Sequence, residues 1–393
     1  MKKIRFGIIG LGNQGSAYIL TFFDENRIDN GYITAMCDNN PAKIADMKKR
    51  TVNKKAVYFT DYKEMIKSGL CDAVIVTVPH YLHPQIVIDC LAAGMPVLSD
   101  KPAGVYAKQV REMNEFAKKT TVPFGMIFNQ RTNCLYKKMR EIIAEGGIGE
   151  LQRVTWIITD WFRTQHYYDS GSWRATWKGE GGGVLINQCP HQLDLLQWVV
   201  GKMPATVRGF CQYGRWHDIE VEDEVTVYMT YDNGATGVFI TSTGETPGTN
   251  RFAVSGSLGK LLCENGKLYY YKNQIDSREL CSAYEKSYWT VPCEKTEVET
   301  DGLNPQHCGI INNFANALLG KEKLFVDGTE GINGVQLMNA IEYSGWHNGE
   351  EVSLPVDEDA YFAELEKRCE KSVVKHTDSL AEDNTCSYGV TVK

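Results

Sequence analysis

Short apolar runs alternate with segments of helical spacing along the first 128 residues. The predicted strands are Ile4–Ile9, Tyr32–Cys37, Val57–Thr60, Ala73–Val78, Val97–Ser99 and Phe124–Phe128. The predicted helices are Ser16–Phe23, a helix opened by Asn40-Pro41, Pro84–Ala93 and Ala107–Lys119. Because strands and helices alternate in this way in sheets whose strands run parallel, the pattern predicts an α/β fold with a doubly wound sheet over residues 1–128.

The pattern changes after about Gly149, where strands follow one another with turn residues between them. The predicted strands are Leu151–Asp160, Glu224–Tyr231, Ala235–Thr243, Arg251–Ser255 and Leu268–Tyr271, and the predicted helices are Val184–Val200 and Ile310–Leu319. Residues 129–370 are therefore expected to form an α+β domain with a large, mainly antiparallel open sheet. Such a sheet needs cover on one face, which predicts a homodimer or homotetramer. The polar residues 371–393 are predicted to be a C-terminal extension.

The composition narrows the class of protein. The 393-residue chain has 42 Lys and Arg against 49 Asp and Glu, and this net charge of −7 argues against a nucleic-acid partner. There is no run of 18 apolar residues, and the apolar N-terminal run ends at Gly10, which predicts neither a membrane span nor a signal peptide. The 12 cysteines include no Cys-x-x-Cys pair and favour free thiols in the cytoplasm.

A G-x-G-x-x-G motif lies between the first predicted strand and the first predicted helix. Gly10 is expected to allow a tight turn, Gly12 to let the backbone approach a pyrophosphate, and Gly15 to let the helix pack closely on the strand. The start of the helix, at Asn13 and Gln14, offers N–H groups to bound phosphates. The motif alone is weak, but its place between a strand and a helix predicts a Rossmann dinucleotide site.

An acidic residue follows the second predicted strand. Asp38 stands where a carboxylate accepts hydrogen bonds from the adenosine ribose hydroxyls of NAD and repels the 2′-phosphate of NADP. Asn39, Asn40 and Pro41 come next, so no basic residue follows directly. The sequence therefore predicts NAD in preference to NADP. The alternative interpretation is a glycine turn followed by a helix-capping aspartate.

Two further segments carry candidate catalytic side chains. Lys101 comes just after the fifth predicted strand, at the carboxyl edge of the sheet where ligands bind, and a lysine there can hold a substrate hydroxyl. Asn187, His191 and Asp194 are spaced i, i+4 and i+7, so they share one face of a helix. Asp194 is expected to accept a hydrogen bond from one ring nitrogen of His191, which leaves the other nitrogen as a base. The alternatives are a surface lysine and a buried core histidine.

The surroundings of this helix bear on that choice. Three glycines, at positions 181–183, precede it and provide a backbone that can pass close to a ligand. Pro190 within it is expected to remove a backbone hydrogen bond and to introduce a kink. Since a base is the group that dinucleotide chemistry still needs, the upstream cofactor site favours the catalytic interpretation of His191.

The segment Thr159–Lys178 is rich in residue types that bind sugars. Aromatic rings stack on the C–H faces of pyranoses, while arginine and histidine bond to hydroxyls. The candidate substrate-binding residues are Arg163, Tyr168, Trp173 and Arg174, together with Lys101, Asn187 and His191. Gln130, after the last strand of the first sheet, is also expected to face the cleft, and His307 is a weaker candidate. The alternative is that some of these aromatic rings pack between the domains.

Taken together, these motifs resemble the glucose–fructose oxidoreductase/inositol dehydrogenase family (Gfo/Idh/MocA). The resemblance runs from Met1 to about Lys371 and rests on the glycine motif, on Val76-Thr77-Val78-Pro79-His80-Tyr81-Leu82-His83, on Asp100-Lys101-Pro102 and on residues 181–194. Three positions depart from the family's pattern. His80 stands where Asn is usual, Asp100 replaces Glu, and Asn187 replaces the Asp that lies four residues before the catalytic His. An amide at this last position can still hydrogen-bond to a hydroxyl.

The resemblance implies an NAD-dependent oxidoreductase that acts on a sugar, glycoside or cyclitol. His191 would take the hydroxyl proton while a hydride passes from the same carbon to the nicotinamide, and Lys101 would hold that hydroxyl. Besides the glycine motif and Asp38, the implied cofactor contacts are Thr77, Pro79, His80, His83, Asp100, Lys101 and Gln130. The family uses no metal, and His80 and His83 form a pair without an evident third ligand.

Three interpretations of the activity follow from the resemblance. The stretch from Trp173 to Asp194 resembles a subgroup that oxidises glycosides at the sugar C3 hydroxyl. An inositol or free-sugar dehydrogenase is the alternative within the family. A non-catalytic NAD and sugar sensor is the alternative of another class, and the presence of both Lys101 and His191 argues against it.

Overall fold

The computed structural model describes residues 2–373, so the predicted extension lies outside the described residues except for its first three positions. The strands are β1 Ile4–Ile9, β2 Gly31–Cys37, β3 Val57–Phe59, β4 Ala73–Val76, β5 Val97–Ser99, β6 Phe124–Met126, β7 Leu151–Ile158, β8 Thr206–Tyr213, β9 Glu222–Thr230, β10 Thr236–Ser242, β11 Asn250–Gly256, β12 Gly259–Glu264, β13 Lys267–Asn273, β14 Cys293–Glu297 and β15 Val352–Ser353. The α-helices are α1 Asn13–Ala17, α2 Pro41–Arg50, α3 Tyr62–Lys67, α4 His83–Ala92, α5 Ala107–Ala117, α6 Cys134–Ala144, α7 Gln165–Asp169, α8 Val184–Asn187, α9 Pro190–Val200, α10 Ser277–Ala283, α11 Gln306–Leu318, α12 Gly331–Trp346 and α13 Glu358–Lys371.

Six parallel strands form the first sheet, in the order β3-β2-β1-β4-β5-β6. The strand β1 pairs with β2 on one side and with β4 on the other, so the winding of the chain reverses between them. Phe6, Ile8 and Ile75 are fully buried, as expected for parallel strands covered by helices on both faces. The predicted doubly wound sheet is confirmed. The carboxyl ends of β1 and β4 meet at the reversal point, where ligands of such sheets bind.

Nine strands form the second sheet, in the order β14-β13-β12-β11-β7-β10-β9-β8-β15. The central strand β7 pairs in parallel with β10 and antiparallel with β11, and the other pairs are antiparallel. Helix α12 packs against β8 on one face. On the opposite face, Phe210 and Tyr228 are 54% and 41% exposed. The predicted open, mainly antiparallel sheet is confirmed.

The predicted helix Val184–Val200 is wrong as a single element. Helix α8 ends at Asn187, and α9 begins at Pro190, which occupies its first helical position. Proline lacks the N–H that would continue a helix but fits the first turn of a new one, where that N–H has no partner. Asn187 and His191 therefore lie on two short helices on either side of a break. Within residues 2–373, no helix has the length and apolar character needed to cross a bilayer.

Candidate active site

The glycine motif forms a tight turn between β1 and α1. Gly10 has φ +99°, and a Cβ there would lie 2.5 Å from the carbonyl oxygen of Thr77. A Cβ at Gly15 would collide with the carbonyl of Gly10. Gly12 differs, since among the described residues only the Nζ of Lys43 comes within 4 Å of its Cβ position, at 4.0 Å. The turn is thus packed on two of its glycines and open at the third, as the approach of a pyrophosphate requires.

Thr77 and Asp38 hold this turn from two sides. The Thr77 hydroxyl donates to the carbonyls of Ile9, at 3.1 Å, and Gly10, at 2.8 Å. The buried Asp38 carboxylate accepts the N–H groups of Leu11 and Asn40, both at 2.8 Å. The second of these bonds belongs to the start of α2, so Asp38 also braces that helix.

Lys43 is a residue that the sequence analysis missed. Its Nζ lies 4.0 Å from Oδ2 of Asp38, besides the contact above Gly12. Lys43 stands five positions after Asp38, beyond the residues that directly follow the strand. Lys43 lies in the first turn of α2, and its side chain reaches back to the end of β2, because side chains on a helix tilt toward the helix N-terminus.

The side chains of Asp100 and Lys101 extend from the carboxyl end of β5 in different directions. The buried Asp100 carboxylate accepts the Tyr18 hydroxyl at 2.9 Å and the backbone N–H of Lys101 at 2.8 Å. Burial raises the pKa of Asp100, while the charges of Lys101 and His83 oppose the rise. The Nζ of Lys101 donates to the carbonyl oxygen of Asn187 at 2.9 Å. Lys101 therefore connects the first sheet to the end of α8.

His191 is buried at the start of α9, with 2% of its surface exposed. Burial lowers its pKa well below the ordinary value, and the charges of Lys101 and His307 lower it further. The imidazole is therefore neutral at pH 7, which is the form that can accept a proton. Lys101 bonds to Asn187, four residues before His191, and lies near enough for its charge to act on the imidazole.

Asp194 has a different partner from the one expected. Its two carboxylate oxygens accept Nε and Nη2 of Arg131, at 2.8 and 2.6 Å, and Oδ1 also accepts the Gln197 amide at 3.2 Å. Arg131 is 1% exposed and also bonds to Glu330 at 2.6 Å. The missed partner, Arg131, follows the last strand of the first sheet, so this ion pair fastens α9 to that sheet.

His83 and His80 have structural partners. The Nδ1 of His83 lies 2.8 Å from the carbonyl of Pro102, and its Nε2 lies 2.7 Å from that of Val78. Both ring nitrogens of the predicted cofactor ligand are thus occupied by the backbone. The Nδ1 of His80 lies 3.2 Å from the carbonyl of Glu180, while Pro79 is exposed beside it. Across residues 2–373, no group of three or more His, Cys, Asp and Glu side chains is arranged to hold a metal ion.

His307 lies in the site, at the start of α11. Its ring stacks on Phe22 with centroids 5.6 Å apart and packs against Tyr18 at 5.5 Å. Burial, with a smaller contribution from Lys101, lowers its pKa to about 4. The preceding residue, Gln306, accepts the amide of Gln130 at 3.2 Å. Gln130 is therefore held against the start of the same helix.

The predicted sugar-binding segment contributes a stacked group of side chains. The Arg174 guanidinium lies 4.5 Å from the ring centroid of Tyr167 and 4.8 Å from that of Trp173. Arg163 approaches the same Tyr167 ring at 5.2 Å. The Tyr167 hydroxyl bonds to Arg174 at 2.9 Å and reaches Oδ1 of Asn187 at 3.4 Å.

Tyr168 does not share this position. It is buried, its hydroxyl donates to Thr243 at 2.8 Å, and its ring packs against His217 with centroids 4.7 Å apart. Tyr168 was chosen over the adjacent Tyr167, although adjacent residues on the five-residue helix α7 point about 100° apart and the sequence does not show which of the two faces the sheet.

The comparisons with known proteins cover both sheets. The family model described as "Oxidoreductase family, NAD-binding Rossmann fold" matches residues 4–128, and the model of the GFO/IDH/MocA C-terminal domain matches residues 136–262. The solved WlbA dehydrogenase of Chromobacterium violaceum, in complex with NADH and UDP-GlcNAcA, has a TM-score of 0.76 to this chain at 25% identity. That similarity covers 91% of this chain and 97% of the other.

Two relatives show how far the similarity extends in sequence. The rhizopine catabolism protein MocA of Rhizobium meliloti is 26% identical over 208 residues, which are 53% of this chain and 61% of that protein. The myo-inositol 2-dehydrogenase of Thermotoga maritima is 27% identical over 273 residues, which are 67% of this chain and 75% of that protein. The match therefore spans less than two thirds of MocA and about three quarters of the inositol dehydrogenase.

Proposed function

Because the chain belongs to the Gfo/Idh/MocA oxidoreductase family and carries its NAD-binding Rossmann domain, we propose that it oxidises a secondary hydroxyl of a sugar, glycoside or cyclitol. The observation that carries the proposal is the convergence of Lys101 and a neutral, buried His191 at the carboxyl edge of the first sheet. A cation and a base beside a dinucleotide site are the two groups that alcohol oxidation needs.

The turn at residues 10–15 would hold the cofactor. The open space above Gly12 admits the pyrophosphate, and the start of α1 directs N–H groups toward it. Asp38 would accept the ribose hydroxyls of NAD. When bound, the nicotinamide supplies the acceptor for the hydride.

His191 would accept the proton, and Lys101 would stabilise the charge that develops on the substrate oxygen. His191 takes the proton of the substrate hydroxyl while a hydride leaves the carbon that bears this hydroxyl, and the alcohol becomes a ketone. Lys101 donates a hydrogen bond to the same oxygen and stabilises the negative charge that develops there. Since its Nζ already bonds to the carbonyl of Asn187, the ammonium is directed before the substrate arrives, which reduces the entropy lost on binding.

The substrate is proposed to be a glycoside oxidised at the C3 hydroxyl of its pyranose ring. Trp173 and Tyr167 supply aromatic rings, and the Arg174 guanidinium packed against both supplies a charged donor for ring hydroxyls. Inositol dehydrogenases among the relatives support a cyclitol as the second candidate. The WlbA complex with a nucleotide sugar supports a substituted pyranose.

The test is a rise in absorbance at 340 nm when the protein is mixed with NAD or NADP and a panel of glycosides, free sugars and inositols. We expect oxidation of at least one glycoside, with NAD as the better cofactor. Tight NAD binding with no turnover of any member would overturn the enzymatic proposal in favour of a sensor. Turnover of inositols alone would overturn the choice of substrate.

Three further expectations stay predictions. They are the division of the chain at residue 128, the homodimer or homotetramer and the cytoplasmic location. The exposed Phe210 and Tyr228 on the open face of the second sheet support the oligomer. Light scattering on the purified protein measures its mass directly, and a monomer at working concentration would contradict the predicted oligomer.

A further inference from the structure

The side chain of Asn187 stands where the family pattern has a carboxylate, and a buried carboxylate lies directly behind it. The amide nitrogen of Asn187 donates to Oε1 of Glu180. Glu180 is 1% exposed. Building on the proposed function, we propose that Glu180 is a positioning residue that keeps the amide oxygen of Asn187 turned toward the substrate hydroxyl.

Glu180 is itself fixed by the backbone. Its Oε2 accepts the N–H of Ala175 at 2.6 Å. Ala175 has φ +51°, the left-handed region that an alanine seldom adopts. Such a conformation persists only where the surrounding structure enforces it, and strain of this kind gathers at functional sites. The bond from Ala175 thus leaves Oε1 of Glu180 directed at Asn187.

The neighbouring hydroxyl fixes the opposite side of the amide. The Tyr167 oxygen accepts Nη1 of Arg174 at 2.9 Å and Nε2 of Gln188 at 3.2 Å. With two donors on its oxygen, the hydroxyl directs its own proton toward Oδ1 of Asn187, 3.4 Å away. The bonds on both sides therefore agree on one orientation, with nitrogen toward Glu180 and oxygen toward Tyr167 and the site.

Burial raises the pKa of Glu180, and four neighbours oppose the rise. The charges of Arg174 and Lys101 favour the ionised form, as do the bonds from Ala175 and Asn187. Glu222 lies close enough for the two carboxylates to repel each other, and the Tyr168 hydroxyl is near enough to interact electrostatically with Glu180. An ionised Glu180 can accept hydrogen bonds but cannot donate one. It therefore cannot bond to the amide oxygen of Asn187, and only one orientation of that amide is allowed.

Exchanging the carboxylate of Glu180 and the amide of Asn187 tests this arrangement. Glu180→Gln keeps the shape, but if its oxygen stays on Ala175, its NH₂ faces Asn187 and turns that amide over. We expect kcat/KM for the best panel substrate to fall about 10- to 100-fold, with NAD affinity unchanged. Asn187→Asp places two carboxylates in contact, so its activity should decline further as the pH rises from 6 to 8.

The double variant Glu180→Gln/Asn187→Asp decides between positioning and simple packing. Its new aspartate accepts the NH₂ of the glutamine introduced at position 180 and again directs an oxygen at the hydroxyl, so we expect kcat/KM within about threefold of wild type. A double variant no better than the worse single variant would overturn the proposal. The control is Asp89→Asn, which alters a carboxylate on α4 that accepts the Tyr62 hydroxyl at 2.7 Å. It should leave kcat/KM unchanged.

A second measurement keeps this inference separate from the proposed function. Neutron diffraction from deuterium-exchanged crystals locates the two amide deuterons of Asn187 without any substrate. We expect them on the Glu180 side in wild type and on the opposite side in Glu180→Gln. Deuterons facing the site in wild type, or the same orientation in both proteins, would overturn the positioning role. An inactive wild type with the expected deuterons would overturn the proposed function alone.

Discussion

Residues 10–15 and residues 181–183 are both glycine-rich turns that lead into a helix beside the candidate active site. In the first turn, Lys43 is the one described residue that reaches the space above Gly12. In the second, every glycine is packed against protein. A Cβ at Gly181 would collide with Val105, one at Gly182 would lie 2.7 Å from Glu342, and one at Gly183 would collide with the backbone of Glu222.

The N–H groups that follow the two turns also differ. Those of Gly183 and Leu185, at the start of α8, donate to Oε1 of Glu222, at 2.9 and 3.0 Å. A side-chain carboxylate thus occupies the place that an anionic ligand takes at a helix N-terminus. Residues 181–183 thus pass close to other parts of the protein, and their approach to a ligand stays a prediction. The first turn is built to receive a ligand, whereas the second fixes the helices that carry Asn187 and His191.

The largest effect that this contrast predicts is on catalysis. His191→Ala should lower kcat by about 10²- to 10⁴-fold, because it removes the base, while the dissociation constant for NAD stays unchanged. Stopped-flow turnover and fluorescence titration of NAD measure the two quantities. Normal turnover by the variant would show that His191, on the helix that follows the second turn, is not the base.

The next effect compares the two turns by the same substitution. Gly183→Ala forces a methyl group into the backbone of Glu222 and should lower the free energy of unfolding by at least about 2 kcal/mol. Among residues 2–373, the methyl group of Gly12→Ala meets only Lys43. The variant should leave stability nearly unchanged and weaken NAD binding roughly tenfold. Urea denaturation and NAD titration of both variants give the comparison. Equal destabilisation of both would remove the distinction between the turns.

The local character of the first turn explains why the sequence predicts it well. Its strand, glycines and helix lie within about 20 residues, and the bounds of β1 were predicted without error. The second site depends on pairs far apart in the chain, such as Arg131 with Asp194 and Lys101 with Asn187. Periodicity along one helix cannot show that Asp194 turns to an arginine 63 residues away.

Pro190 was expected to kink one helix and instead begins a second one, although a proline at the first helical position is a local signal. Helix α12 was missed for a different reason. It is buried on most of its surface, so it lacks the apolar and polar alternation on which a helix prediction depends. By contrast, α2 was marked by its start, where the Asn40 side chain accepts the N–H of Ala42 at 2.9 Å.

A pH effect on stability should show that the group at the second turn is a titratable side chain, Glu222. Burial raises the pKa of Glu222 to about 7 from the ordinary 4.5. Between these values the native protein retains a proton that the unfolded chain has lost, so this contribution to stability is complete below pH 4.5 and declines as the pH rises to 7. The decline is on the order of 3 kcal/mol.

Glu222→Gln has no such titration. The unfolding free energy of wild type should therefore fall relative to that of the variant between pH 5 and pH 7, as measured by urea denaturation. The exposed Glu299→Gln serves as the control and should follow wild type across this range. A constant difference between wild type and Glu222→Gln would mean that Glu222 is already ionised when it caps α8.

The smallest effect concerns the choice between NAD and NADP at the first turn. Asp38→Asn removes the charge that repels a 2′-phosphate and should reduce the preference for NAD about tenfold. Lys43 lies 4.0 Å from that carboxylate, so loss of Asp38 frees its ammonium to pair with the phosphate. Asp38→Asn/Lys43→Met should then bind NADP more weakly than Asp38→Asn does, while both bind NAD alike. If Lys43→Met alone weakens NAD and NADP equally, its ammonium serves the shared pyrophosphate above Gly12, and the open turn uses a side chain as well as its backbone.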